Sequence, residues 1–224
     1  REGGVYVILV GDDALWLAGI GGVCRHVPGS GRCEVIEGFP SPVSYCGVQH
    51  EGRLCFATEA GVGCLRGDEV QIYGRAEGLP SETVYTVAVH QGRLVAGTNR
   101  GLARLEGDRF AVWDVGLPHK FVGALAELDR DTLAVGTTHG VSLVSAGRVQ
   151  RTLDKRSGLL GNETNFDSLL AAEGELWIGT TTGLSRYRSD RERANQTPPP
   201  VVLVSWAVDG IIHQDTTASR LPPD

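Results

Sequence analysis

The sequence lacks several features that would assign it to a large class of proteins. It contains no methionine at any position, which fits a segment of a longer polypeptide. No apolar run approaches the roughly 18 residues that a membrane-spanning helix needs. Acidic side chains outnumber basic ones, with a net charge of −6, and no basic stripe occurs, so a nucleic-acid partner is not expected. No segment keeps an apolar period of 3.6 residues, which disfavours a helical solenoid.

The sequence also lacks the motifs of common enzyme and metal sites. No GxSxG, HExxH, P-loop or CxxCH motif is present, so no enzyme class has positive support. The five cysteines show no CxxC spacing, which disfavours a zinc knuckle or a redox pair. We therefore expect no catalytic residue, no metal and no cofactor in this chain.

Glycine is abundant, with 31 residues, and much of it belongs to a repeated motif. The copies are "LWLAGIGGV" from Leu15, "LCFATEAGV" from Leu54, "LVAGTNRGL" from Leu94, "LAVGTTHGV" from Leu133 and "LWIGTTTGL" from Leu176. Their starting leucines are 39, 40, 39 and 43 residues apart. A second marker keeps the same period, as "EGFPS" at 37, "EGLPS" at 77, "VGLPH" at 115 and "SGLLG" at 157. Two independent markers at one period indicate five repeats.

Each repeat predicts four short strands, a to d, separated by turns. In the third repeat they cover residues 84–89, 94–98, 102–105 and 109–113, with Gly101 at positive φ in the b–c turn. A four-stranded unit of about 40 residues cannot bury both faces alone, and radial stacking of such units gives an all-β fold, the β-propeller. The predicted blades lie near residues 1–37, 38–77, 78–115, 116–157 and 158–193. The five leucines should occupy equivalent buried positions.

The stretch "GLPSETVYTVAVHQGRLVAGTNRGLARLEGDRF" resembles the two-component regulator propeller repeat (Reg_prop). The later stretches "GLLGNETNF" and "NQTPPPVVLVSWAVDG" resemble the last blade of that family and its junction with the immunoglobulin-like Y_Y_Y domain. The family forms periplasmic sensor regions of hybrid histidine kinases and of some membrane-bound diguanylate cyclases. The resemblance implies a ring of seven blades, and a linker and the start of a β-sandwich over residues 194–224. It also implies a receptor anchored in the inner membrane that binds a small-molecule or oligosaccharide ligand and relays the signal to an intracellular output domain.

The last repeat is incomplete as a blade, because "SDRERANQTPPP" follows its strand c without apolar alternation. Residues 5–10 already serve as strand a of blade one, so no earlier strand is left to complete blade five. We therefore expect upstream blades and downstream domains of the same polypeptide as packing partners, since soluble proteins avoid open sheet edges. A homodimer contact through the downstream sandwich is a further expectation. The prolines at 198–200 should make a stiff joint.

Six polar residues of blades three and four form the predicted ligand site. They lie in b–c turns and d–a connections, which share one end of a propeller: Asn99, Arg100, His119, Lys120, Thr138 and His139. The alternative is that they are solvated turn residues. His50 and His90 occupy equivalent a–b turns, which indicates a structural role. Two other functions stay open, a propeller enzyme acting on polysaccharide, either lyase or hydrolase, and a protein-interaction scaffold.

Cys55 and Cys64 should face each other across the b–c hairpin of blade two. Facing Cβ atoms of antiparallel strands are about 4.5–5.5 Å apart, whereas a disulfide needs about 3.5–4.5 Å. We therefore expect two adjacent reduced thiols, and a strained disulfide is the alternative.

Overall fold

The computed structural model describes residues 4–11, 13–191, 205–208 and 211–214. Its first unit is a propeller of five antiparallel sheets, each with its strands in chain order. Blade one consists of β1 (Val5–Val10), β2 (Leu15–Gly19), β3 (Gly22–His26) and β4 (Cys33–Ile36). Blade two consists of β5 (Ser44–His50), β6 (Arg53–Thr58), β7 (Gly61–Arg66) and β8 (Glu69–Tyr73). Blade three consists of β9 (Val84–His90), β10 (Arg93–Thr98), β11 (Gly101–Glu106) and β12 (Arg109–Trp113).

The last two blades follow the same plan. Blade four consists of β13 (Val122–Glu127), β14 (Leu133–Thr137), β15 (Gly140–Ser145) and β16 (Arg148–Leu153). Blade five has three strands in the described part of the chain, β17 (Thr164–Ala172), β18 (Glu175–Thr180) and β19 (Gly183–Arg188). Two short 3₁₀ helices cover Lys155–Ser157 and Ser189–Arg191. The five predicted blades are confirmed, and the strands of blade three end within one residue of the prediction.

A second compact unit begins at Asp190 and contains the hairpin of β20 (Ser205–Val208) and β21 (Ile211–Gln214). The remainder of the predicted linker and sandwich, including the joint at 197–200, lies outside the described residues. Over the described ranges, no helix is long and apolar enough to cross a lipid bilayer.

A threonine at the end of strand b holds the b–c turn in four of the blades. The hydroxyl of Thr98 donates to the carbonyl of Gly101 (2.9 Å) and accepts from the backbone N–H of Arg100 (2.9 Å). The same donor bond to the glycine three residues later recurs in the blades of Thr58, Thr137 and Thr180. Gly101 has φ +102°, as predicted, a conformation that a Cβ would disfavour. The threonine that ends strand b therefore fixes the turn that, in blades three and four, carries candidate site residues.

Strand b packs its alternate side chains against the two neighbouring blades. In blade three, Leu94 and Ala96 join the apolar cluster shared with blade two, and Val95 joins the cluster shared with blade four. Leu133 and Leu176 likewise face the preceding blade. Burying one leucine fully stabilises by roughly 1.5–3 kcal/mol, so this alternation supplies much of the inter-blade stability.

The five repeat leucines occupy the predicted equivalent positions, but not all are buried. Leu94, Leu133 and Leu176 are fully buried, whereas Leu15 and Leu54 are half-buried. Leu15 faces the side of blade one on which a preceding blade would pack. No residue that the structure describes covers that side. Leu54 faces blade one across a cleft of about 590 Å³ that Trp16 also lines. The prediction that all five leucines are buried was therefore wrong for Leu15 and Leu54, because the packing around blade one is less complete.

The expectation of reduced thiols at Cys55 and Cys64 is wrong. The two residues do pair directly across the hairpin, and their Cα atoms are only 4.0 Å apart, so their sulfurs form a disulfide. A second disulfide joins Cys24 to Cys33 on blade one. That pair lies diagonally, since Cys33 stands opposite His26 and Cys24 opposite Val35. In the chain-entropy model each short loop contributes about 2–3 kcal/mol. Cys46 is left as a buried free thiol.

Thiol counting tests this cysteine arrangement. Native protein should show no thiol reactive with an aromatic disulfide reagent at pH 8, because Cys46 is buried and burial raises its pKa to about 12. Denaturation without reductant should release one thiol, and denaturation with reductant followed by its removal should release five. A count of three or more without reductant would contradict the two disulfides.

Candidate functional site

The first strand of each blade leaves its regular pairing near its start, at the end of the propeller that carries the b–c turns. We call this the b–c end. The register shifts once in each first strand, and the residues skipped by the pairing include Tyr6, Tyr45, Tyr85 and Gly123. In blade five the irregular part spans residues 165–168. Bulges bend a strand and redirect a side chain, so each blade can aim a residue at the propeller axis.

Four aromatic rings from four blades meet at the b–c end and form the aromatic cluster (Tyr45, Tyr85, Phe121 and Phe166). Tyr85 is central, with ring centroids 5.7 Å from Tyr45, 4.8 Å from Phe121 and 5.2 Å from Phe166. Phe166 also stacks on Tyr45 at 6.2 Å. Phe166 is 56% exposed, so the cluster presents an aromatic surface to solvent. The sequence interpretation missed this cluster.

The Tyr45 hydroxyl is held by a carboxylate on the b–c turn of its own blade. It donates to Oε1 of Glu59 at 3.0 Å, and Thr83 donates to the Glu59 carbonyl at 3.3 Å. Burial of the phenol, followed by the hydrogen bond to Glu59 and its charge, raises the pKa of Tyr45 to about 12. The ring is thereby fixed in orientation and kept neutral over the physiological range.

Beside the aromatic cluster, a carboxyl of blade five reaches blade two. Asp167 adopts φ +48° in the irregular part of β17, and its Oδ1 accepts from the Cys46 thiol at 3.3 Å. Thr86 of blade three donates to the same sulfur at 3.8 Å. Asp167 keeps contact with solvent, but the crowding of protein atoms around its carboxyl disfavours the charged form and raises its pKa. These contacts tie blade five to blades two and three.

Three of the predicted site residues form one hydrogen-bonded group beside the aromatic cluster. The rings of His119 and His139 stack at 4.5 Å, and Thr138 Oγ1 lies 2.9 Å from Nδ1 of His119 and 3.0 Å from Nδ1 of His139. The backbone N–H of Phe121 donates to His119 Nδ1 at 3.3 Å, so that nitrogen is an acceptor and the proton of this ring is on Nε2. Thr138 then donates to His119 and can accept from His139. Among the residues that the structure describes, the Nε2–H of His119 has no acceptor, so it can donate to a ligand.

The other three predicted residues lie at the same end but make fewer contacts. Lys120 pairs with Asp114 (3.2 Å), and its side chain passes beside the blade-three turn, where a Cβ on Gly101 would be 3.6 Å from its Cδ. The backbone N–H of Gly116, followed by Lys120, lowers the pKa of Asp114. Asn99 and Arg100 are exposed on that turn. The structure therefore groups His119, Thr138 and His139, and leaves the remaining three as a neighbouring polar rim.

The two other predicted histidines lie at the opposite end, which we call the a–b end. His50 Nε2 donates to the Gly92 carbonyl of the next blade (3.1 Å), and His90 Nδ1 lies 2.9 Å from Oε2 of Glu127 in the blade after that. Both are nearly buried. They join adjacent blades, which agrees with the structural role. Among the described residues, no group of three or more His, Cys, Asp or Glu side chains is arranged to hold a metal.

Titration of the tyrosines tests the Tyr45–Glu59 contact. Since the folded-state pKa of Tyr45 is above the value of about 10 for free tyrosine, its neutral form stabilises the fold below pH 10, and that contribution is lost as the pH rises through about 12. Absorbance at the phenolate band should show a late transition near pH 12 in the folded protein. Glu59→Gln should move this transition to lower pH. Glu82 is an exposed residue close to the contact, and Glu82→Gln should leave the transition unchanged. A single transition near pH 10 for all five tyrosines would contradict the contact.

No protein-family model matches the chain, and no curated protein matches it. Solved structures do share its fold. The extracellular domain of BT3049, assigned to the hybrid two-component systems of B. thetaiotaomicron, superposes with a TM-score of 0.78 at 18% identity over 98% of this chain. The extracellular domain of BT4673, assigned to the same class of system in the same organism, superposes with a TM-score of 0.61 at 17% identity over 83% of this chain. An ancestral GH74 enzyme superposes with a TM-score of 0.62 at 12% identity over 84% of this chain. This chain spans only 32%, 32% and 31% of those chains, and the likeness shows a shared β-propeller fold.

Proposed function

We propose that this propeller is the ligand-sensing part of an extracytoplasmic receptor, with its ligand bound at the b–c end. The observation that carries the proposal is the aromatic cluster, built from four blades and bordered by the His119–Thr138–His139 group. The fold likeness to extracellular domains assigned to two-component systems supports the sensing role. The receptor would be periplasmic, anchored in the inner membrane, and coupled to a kinase or cyclase output.

The chemistry of the b–c end favours a hydroxylated ligand such as an oligosaccharide. Ligand sites combine apolar and aromatic surface with a few polar groups that fix orientation. The exposed face of Phe166 can stack against the C–H face of a sugar ring, because the face of an aromatic ring is negative and C–H edges are positive. The Nε2–H of His119 supplies a hydrogen-bond donor, and Asn99, Arg100 and Lys120 add polar groups at the rim.

The two terminal sheet faces support a second part of the proposal, that further blades pack on both sides. On blade one, Ile8 and Val10 are 62% and 76% exposed at positions where blade three buries Val87 and half-buries Val89. On blade five, Leu170 and Leu184 are 62% and 60% exposed. Leu102, which occupies the position of Leu184 in blade three, is buried. Exposed apolar faces of this kind mark interaction surfaces. The same proposal includes a seven-bladed ring, a homodimer through a downstream sandwich and a stiff joint at 197–200.

Loss of one aromatic ring should weaken ligand binding. Screening a library of oligosaccharides by calorimetry identifies the ligand, and Phe166→Ala should then lower its affinity about fivefold or more, since an aromatic stacking contact contributes about 1 kcal/mol beyond the buried area. Leu170→Ala is the matched control, because Leu170 is an equally exposed apolar residue of the same strand that lies outside the aromatic cluster. It should leave the affinity unchanged.

Two outcomes would overturn the sensing proposal. Equal affinity of wild type and Phe166→Ala for every ligand found would remove the aromatic cluster from the site. Turnover of an oligosaccharide by the purified protein, abolished in Asp167→Asn, would replace the sensor with a propeller hydrolase or lyase. That alternative has the GH74 fold likeness and the raised pKa of Asp167 in its favour.

The open faces should make this chain associate with itself when it is isolated. Light scattering is expected to detect concentration-dependent oligomers, and replacing Ile8 and Leu170 with serine should reduce them. Val112→Ser is the control, since Val112 is equally exposed on strand d of blade three, away from both terminal faces. A monodisperse monomer at all concentrations, with a cooperative melt, would count against further blades packing on these faces.

A further inference from the structure

A polar cleft separates blades two and three at the a–b end. It has a volume of about 410 Å³ and is lined chiefly by the two a–b turns, with His50, Glu51 and Arg53 on one wall and Gln91 and Arg93 on the other. A second cavity of about 370 Å³ shares Arg53 and includes Arg66. The cleft is at the opposite end of the propeller from the aromatic cluster, so it plays no part in the ligand site proposed above.

Positive charge in the cleft exceeds the negative charge that neutralises it. The one carboxylate on its wall, Glu51, is bound by Arg53 at 3.3 Å. Arg66 lines the second cavity and donates to the backbone carbonyl of Glu51 (2.8 Å), and Glu69, which lines the same cavity, stands opposite Arg66 on the paired strand. Arg93 is exposed and makes no hydrogen bond or ion pair with any residue that the structure describes. Glu106 is bound by Arg104 at 2.7 Å, and this bond is the main cause of its lowered pKa, to which the charge of Arg93 also contributes.

The same cleft borders two of the few buried polar atoms that lack a partner. Among the described residues, four buried side-chain nitrogen or oxygen atoms have none, and His50 Nδ1 and Arg53 Nε are two of them. The Arg53 side chain is only 18% exposed, and its other nitrogens are bound to Gln71, Tyr73 and Glu51. Because His50 Nε2 donates to the Gly92 carbonyl, Nδ1 of the neutral ring is an acceptor, and Arg53 Nε is the one of the two that can donate to an anion. Buried donors without a partner are uncommon, so this nitrogen indicates donor capacity that a ligand can use.

We propose that this cleft binds an oxyanion, a carboxylate, sulfate or phosphate group, on Arg93. The guanidinium group of Arg93 offers paired N–H donors that match two oxygens of such a group. Arg53 forms the facing wall, held in place by its contacts with Gln71 and Tyr73. The net charge of the whole chain is −6, so this local excess of arginine is not a reflection of overall composition.

The test uses sulfate, phosphate and glucuronate, each added to the protein in chloride buffer of matched ionic strength. Wild type should bind at least one of them in calorimetry and melt at a higher temperature in its presence. Arg93→Gln should weaken this binding about tenfold or more, because a hydrogen bond to a charged group contributes about 1.5–3 kcal/mol. Arg148→Gln removes the same charge from an exposed position on β16 and should bind as wild type does. Arg93→Lys, which keeps the charge but loses the paired donors, should fall between them.

Inorganic anions and glucuronate distinguish a free ion from the acid group of a sugar, and preferential binding of either supports the site. Circular dichroism checks that each variant is folded. Failure of wild type to bind any of the three anions would overturn the proposal. Equal weakening by Arg93→Gln and Arg148→Gln would also overturn it, because the effect would then be general charge screening.

Discussion

Every blade of this propeller has two apolar faces, and only a neighbouring blade can cover each of them. Alternation along strand b sends Leu94 towards one neighbour and Val95 towards the other. Because this packing must recur at each interface, the repeat keeps its register, its turn glycines and the threonine that ends strand b. The same requirement explains why blades one and five, each with a face that no described residue covers, leave apolar side chains such as Val10 and Leu170 exposed.

Inter-blade packing holds the first strand on both sides of its bulge. Val84 and Val87 are both buried in the cluster between blades two and three, whereas the bulge leaves Tyr85 without a ladder partner. That freedom lets Tyr45, Tyr85 and Phe166 turn towards the axis without disturbing the sheets behind them. In blade five, side chains replace the lost ladder bonds, since Ser168 donates to the Gly179 carbonyl at 2.8 Å. The aromatic cluster is thus built largely from residues that the strand pairing skips.

The sequence was sufficient to predict the blades, because their period, turn chemistry and alternation are local and repeated. It also located His119, Thr138 and His139 at one end of the propeller. It was not sufficient for the aromatic cluster, although Tyr6, Tyr45 and Tyr85 recur 39 and 40 residues apart. Strict alternation gives each tyrosine a face of the sheet, and only the bulge redirects it. The Cys24–Cys33 disulfide was missed for a similar reason, because its partners lie diagonally and not in direct opposition.

A site assembled from several blades is sensitive to how those blades are arranged. The aromatic cluster takes one ring from each of blades two to five, and Asp167 links blade five to the Cys46 thiol of blade two. A ligand that inserts beside Phe166 therefore contacts a surface whose shape depends on the spacing of blades two and five. If it binds one spacing more tightly than another, it shifts their populations by that difference in affinity, and a few kcal/mol are enough. The physical basis for sensing would then be the same inter-blade packing that holds the fold together.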